Sequence, residues 1–216
     1  LAGMFRMTLT GMKKHIVERA LRPAGTARRG VEAETTRPIN ERNSPLNTRF
    51  NSTTQVSLPS DTEIRITRDF NAPRSLLWQA HVDPQLFRRW IGGYPGWSMP
   101  VCELDVRPGG AFRWRWRQDE EGKEFGFFGD YREVDAPATI VSAEYFDPGS
   151  FGGEMPTSAT INRTTFTEQN GVTTLVVLIE YASKDARDGA ISTGMTDGME
   201  TSYARLDTLV AELHTA

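Results

Sequence analysis

The chain has 216 residues, a net charge of −3 and one cysteine, Cys102. It is long enough to bury a core without staples, and a lone cysteine excludes an intrachain disulfide. No apolar run nears the roughly 18 residues of a membrane span and no signal-peptide core is present, so a cytoplasmic protein without membrane association is expected.

The charge is unevenly spread. Residues 1–60 hold 10 Lys/Arg against 4 Asp/Glu, whereas residues 61–216 hold 15 against 24, and only Phe5 and Phe50 of the aromatics lie in the first 60. Residues 21–60 are rich in Arg, Pro, Thr, Asn and Ser, so residues 1–60 are expected to form a disordered basic tail and 61–216 the domain. Within the tail, Met7-Thr-Leu-Thr-Gly-Met-Lys-Lys-His-Ile16 resembles the recognition-helix region of arsenic-repressor-type winged-helix regulators. Lys13, Lys14 and His15 would be its phosphate or base contacts. The match lacks the other helices and the wing, so no working DNA-binding domain is expected. Together with the opening Leu1, it points to a remnant of an upstream reading frame joined to the domain.

From Asp61 the pattern changes. Glu63 to Phe70 alternates apolar and polar residues as a half-buried strand does. Asn71-Ala-Pro73 turns the chain, with Asn71 expected to cap a short helix through Leu76, Leu77 and Trp78. Asp83-Pro84 opens a second short helix ending at Ile91. Strands are then expected at 101–106, 111–117, 125–134, 139–146, 158–166 and 172–181. The last two join across Asn170-Gly171, a strong hairpin signal.

After a helical segment capped by Ser183, Met195, Met199, Tyr203, Leu206, Val210 and Leu213 recur at steps of three or four, as one face of a long helix requires. Gly194 and Gly198 mark either a close approach or a frayed helix start. The order predicts an α+β helix-grip. A curved antiparallel sheet of about six to seven strands wraps around a long C-terminal helix, with two short helices after the first strand.

Several segments resemble one family in order: Phe70-Asn-Ala-Pro73, Leu86-Phe-Arg-Arg-Trp90, Asp105-Val-Arg-Pro-Gly-Gly110, Gly129-Asp-Tyr-Arg-Glu-Val134, and Thr193-Gly-Met through Leu206. They are similar to the SRPBCC (START-like) superfamily, in the branch of the C-terminal domain of the heat-shock-protein-90 ATPase activator. The resemblance covers residues 61–214 and implies the helix-grip fold. It implies no single activity, because that scaffold carries lipid carriers, cyclases, ring-hydroxylase subunits, resistance proteins and co-chaperone domains.

The sequence offers little catalytic machinery. His15, His81 and His214 are far apart and share no metal-ligand spacing, so neither a metal nor a catalytic set is expected, and no cofactor motif is present. His81, where the first short helix stops, and Cys102, in a strand, are read as structural. Arg113, Arg115 and Arg117 share one strand face, but acidic residues follow at once and the domain is acidic, so nucleic acid is not an expected partner. A solvated face with cross-strand pairing is expected instead.

Aromatic and sulfur side chains placed to line a cavity stand out. Phe112, Trp114, Trp116, Phe125, Phe127, Tyr145, Met195, Met199 and Tyr203 are the expected walls of a site for a small hydrophobic or aromatic molecule. The competing expectation is that they fill a solid core. Two other functions stay open: a cyclase or hydrolase using a pocket Tyr, Glu or Asp, and a protein-interaction module, with a homodimer or protein partner compatible with either. A pocket carboxylate with a perturbed pKa would favour the enzyme.

Overall fold

A computed structural model describes residues 51–215. The expectations for residues 1–50, including the regulator remnant and its Lys13, Lys14 and His15, lie outside the described residues.

The first described element is β1 (Gln55–Ser57), which pairs antiparallel with β2 (Glu63–Phe70). The sheet therefore starts before the boundary drawn at Asp61. A three-residue edge strand carries too few side chains to show a period of two, so composition alone misplaced it. In β2, Ile64, Ile66 and Phe70 alternate inward and are sealed from solvent.

Two short helices, α1 (Arg74–Val82) and α2 (Pro84–Ile91), follow. Asn71 does not cap α1; Pro73 occupies that position, with no side-chain cap. Asp83 does cap α2, its Oδ1 accepting the Gln85 N–H at 2.7 Å and the Leu86 N–H at 3.3 Å.

The chain then meanders through β3 (Trp97–Leu104), β4 (Ala111–Gln118), β5 (Glu124–Asp135), β6 (Thr139–Asp147), β7 (Thr160–Gln169) and β8 (Val172–Glu180). The eight strands form one sheet in the order β1-β2-β8-β7-β6-β5-β4-β3, all pairs antiparallel. The hairpin between β7 and β8 turns at Asn170 and Gly171, with φ of 55° and 77°, the left-handed pair that a tight hairpin needs.

Ser183 caps α3 (Lys184–Ser192) by accepting the Ala186 N–H at 3.2 Å. Gly194, at φ +81°, ends that segment and α4 (Met195–Thr215) begins immediately after. A left-handed residue after a helix is the usual role of glycine, so Gly194 is a turn rather than a close-approach site. A Cβ on Gly198 would meet only the Tyr94 hydroxyl, at 3.6 Å, an ordinary contact.

The long helix is anchored along its length. The Tyr203 ring meets Phe70 edge-on at 5.7 Å and stacks over Trp90 at 6.0 Å, while Leu206, Leu209 and Val210 are buried. Each such apolar side chain contributes about 1.5–3 kcal/mol when removed from water. Arg68, buried on the inner face of β2, forms ion pairs with Glu200 at 2.9 Å and with Asp207, both on α4. Burial alone would raise the Glu200 pKa, but hydrogen bonds from Thr54 and the Arg68 charge outweigh it and hold it below the usual value. The result is an α+β helix-grip, with one more strand than the upper count expected from sequence.

Candidate ligand-binding site

The inner face of the sheet divides into two parts. Around Phe70, Leu175 and Phe166 the inward side chains are at most 2 % exposed, closed over by Tyr203, Trp78 and His81. Farther along the same face, Trp114, Phe125, Phe127, Glu144, Asn162 and Val177 point inward by the strand register yet keep part of their surface accessible. Ile191, Met195 and Met199 pack on the same apolar cluster from the helical side and are also only half-buried. This half-buried part of the inner face, with the helical residues that pack on it, is the candidate trough.

One wall of the trough is aromatic. Trp116 stacks on Phe125 at 5.2 Å across the β4–β5 ladder and meets Phe127 edge-on at 6.0 Å; Phe127 in turn packs on Phe146 at 5.4 Å. Trp114 lies 4.8 Å from both Phe112 and Phe87. The indole N–H groups of Trp114 and Trp116 are buried and have no acceptor among the described residues. By contrast, the Trp90 indole donates to the Ala80 carbonyl at 2.9 Å. An unpaired buried donor costs about 1–3 kcal/mol, so these two polar edges are unusual.

Glu144 stands on the floor. Its register partners are Gly129 on β5 and Thr160 on β7. Gly129 is required there: a Cβ would lie 1.9 Å from the Ala143 carbonyl oxygen and 2.9 Å from Phe112 Cζ. Depth within the fold pushes the Glu144 carboxyl up to about 7, although a hydrogen bond with Asn162 favours its charged form. Tyr131 and Tyr181 feel its charge. Burial first, then neighbouring negative groups including Glu144, raises both phenols above their ordinary value. The Tyr181 hydroxyl donates to Met195 Sδ at 3.4 Å, tying this polar group to the first residue of α4. No cationic side chain pairs with Glu144 among the described residues.

Residues 71–211 match the family described as Activator of Hsp90 ATPase homolog 1-like protein. The chain belongs to that family. A crystal structure from Rhodobacter sphaeroides is 27% identical with a TM-score of 0.65, covering 74% of this chain and 99% of that one. One from Mycobacterium smegmatis is 26% identical with a TM-score of 0.64, covering 73% and 96%. A solution structure from Staphylococcus epidermidis is 25% identical with a TM-score of 0.60, covering 72% and 93%. Among curated proteins, none matches.

Within this activator-like domain the nine residues singled out from sequence separate into groups. Trp114, Trp116, Phe125 and Phe127 form the aromatic wall, and Met195 and Met199 lie on the helical side. Phe112 and Tyr203 are core, 3 % and 1 % exposed, because rings enclose them on both sides. Tyr145 is a correction. It pairs with Phe128 and stacks on that ring at 5.4 Å on the opposite face of the sheet. Side chains alternate along a strand, so choosing Tyr145 put the inward position one residue away from its occupant, Glu144.

The other sequence candidates have structural surroundings. The His81 Nδ1–H donates to the Leu77 carbonyl oxygen at 2.7 Å, and burial lowers the ring's pKa to about 4. The Cys102 thiol donates to the Pro84 carbonyl at 3.4 Å, and burial pushes it up. Arg115 on the outer face pairs with Glu124 at 3.2 Å and with Asp147. Among the described residues no three His, Cys, Asp or Glu side chains gather to hold a metal, and no helix is long and apolar enough to cross a membrane. A separate groove of about 600 Å³ opens beside Arg74, Thr165, Glu168 and Asn170. It is remote from the aromatic wall and Glu168 is engaged there by the Arg74 N–H at 2.9 Å.

Proposed function

We propose that the domain binds a small hydrophobic or aromatic molecule in the trough between strands β4–β7 and the first turns of α4. The observation that carries this reading is the pair of unpaired indole N–H groups, on buried Trp116 and half-buried Trp114, beside the partly accessible rings of Phe125 and Phe127. Such a wall supplies apolar contact, and the two donors supply the few polar contacts that orient a ligand. Both N–H groups are sealed from solvent, so a ligand oxygen reaches either one only when the surrounding rings shift, and it then recovers a lost hydrogen bond. The test is native mass spectrometry of the full chain purified from cells, followed by calorimetric titration with a panel of aromatic alcohols and ketones. Saturable binding that weakens about fivefold in Trp116→Phe or Trp114→Phe, the worth of one hydrogen bond, supports the reading. No co-purifying mass and no heat with any panel member would end it.

One observation favours a second reading. The Glu144 carboxyl, raised to about 7 by its depth in the fold, is poised to give or take a proton near neutrality, as a cyclase- or hydrolase-type acid or base does. Under that reading Glu144→Gln retains ligand binding and abolishes turnover. Unchanged turnover in that variant would remove Glu144 from any mechanism.

A further inference from the structure

Resting on the ligand-binding reading, we propose that the trough selects ligands carrying a cationic nitrogen. An arylalkylammonium would set its nitrogen on the Glu144 carboxylate and its ring against Phe127 and Trp114. Three observations lead there. First, Glu144 lies on the inner face by register, and no cationic side chain pairs with it among the described residues. The inward Arg68 has its charge engaged by Glu200 and Asp207 on α4, and the polar groups around Glu144 include the Asn162 amide, the Tyr131 and Tyr181 phenols and its register partner Thr160. A carboxylate away from water is costly unless a positive charge meets it, and here the protein supplies none.

Second, the surroundings suit a cation in another way. Phe127, two residues from the Gly129 partner of Glu144, presents an aromatic ring beside it, and ring faces attract ammonium groups. An anionic ligand would face the carboxylate and the negative faces of the rings together. Third, the spacing sets a size. Gly129 is the partner of Glu144 and Phe127 the partner of Trp114, so the carboxylate and the nearer unpaired indole are offset by two residues. They also lie two strands apart, β6 against β4, so about 7 Å along the strands and about 10 Å across them combine to about 12 Å between backbone positions; a short alkyl arm from Glu144 therefore sets its ring first against Phe127 on the intervening strand. The Phe112 ring covers Gly129, its Cζ 2.9 Å from where a Cβ would stand.

The experiment is calorimetric titration of the full chain at about pH 8 with naphthylethylamine, naphthylethanol and naphthylacetate, three ligands of one shape and three charges. The amine should bind at least about tenfold tighter than the alcohol, and the acetate weakest, the size expected when a desolvated charge gains a partner. In Glu144→Gln the preference should fall to within about threefold; Glu144→Asp, which keeps the charge, should keep the preference. An amine no tighter than the alcohol, or a preference that survives Glu144→Gln, would overturn the cation assignment and leave a ligand trough standing. No binding by any of the three would overturn both.

Discussion

Replacing Glu144 by Gln should make the protein more stable, and more so as pH rises. In the folded state the carboxyl loses its proton at about 7, against 4.5 for the ordinary value. Between those values the unfolded chain has released the proton while the folded chain still holds it, so stability falls as pH rises from about 4.5 and levels above 7. The full interval corresponds to about 3 kcal/mol; because the side chain keeps part of its solvent contact, about 2 kcal/mol is the working magnitude. Gln keeps the shape and the hydrogen bond with Asn162 but cannot ionise. Urea melts at intervals from pH 5 to 8 should therefore show the two proteins alike near pH 5 and the variant ahead by about 2 kcal/mol at pH 8, or about 4–8 °C in Tm for a domain this size. A difference that stays flat across that range would refute the burial of Glu144 and, with it, the floor of the trough.

Other positions give further tests. His81 has the opposite sign: its folded pKa is lowered to about 4 from 6.5, so stability is lost as pH falls through that interval, by about 2–3 kcal/mol, and His81→Phe should flatten the acid limb of the same melts. Arg68→Ala leaves Glu200 and Asp207, both more than a third exposed, without their shared partner and should cost about 1.5–3 kcal/mol, whereas Arg89→Ala, which breaks the exposed pair with Glu212, should cost less than about 1 kcal/mol by the same assay. Gly129→Ala forces a Cβ against the Ala143 carbonyl and the Phe112 ring; a loss of about 1–3 kcal/mol in urea midpoint is expected, and none would show that β5 and β6 are farther apart than described.

Most of the fold could be read from sequence because its elements announce themselves locally. Phe112, Trp114 and Trp116 alternate with arginines, Asn170-Gly171 forms a hairpin, and the apolar stripe from Met195 to Leu213 has the period of one helix face. What failed was set by pairing rather than by pattern. In β6, Ile140, Val141, Ser142 and Ala143 are all buried, so apolar character does not distinguish the two faces, and the choice of Tyr145 over Glu144 missed the carboxylate. Register alone separates them: Tyr145 lies opposite Phe128, and Glu144 opposite Gly129. A glycine facing a glutamate in mid-sheet was the available signal, visible only once the strands are aligned. Phe112 and Tyr203 were singled out for their size, which suits a pocket wall and a core equally; the rings that enclose them come from distant segments. Arg68 carried no local sign at all, since its partners lie more than 130 positions away on α4.

If Trp114 and Trp116 keep their indole N–H groups for a ligand, an NMR spectrum of the chain labelled with nitrogen-15 at the tryptophan indoles, titrated with an aromatic alcohol or amine, shows it directly. Assignment by single Trp→Phe variants would identify the five indole signals. The Trp114 and Trp116 signals should move together and saturably while the Trp90 signal, already bonded to the Ala80 carbonyl, stays in place. Shifts confined to other tryptophans, or none at ligand saturation, would contradict it.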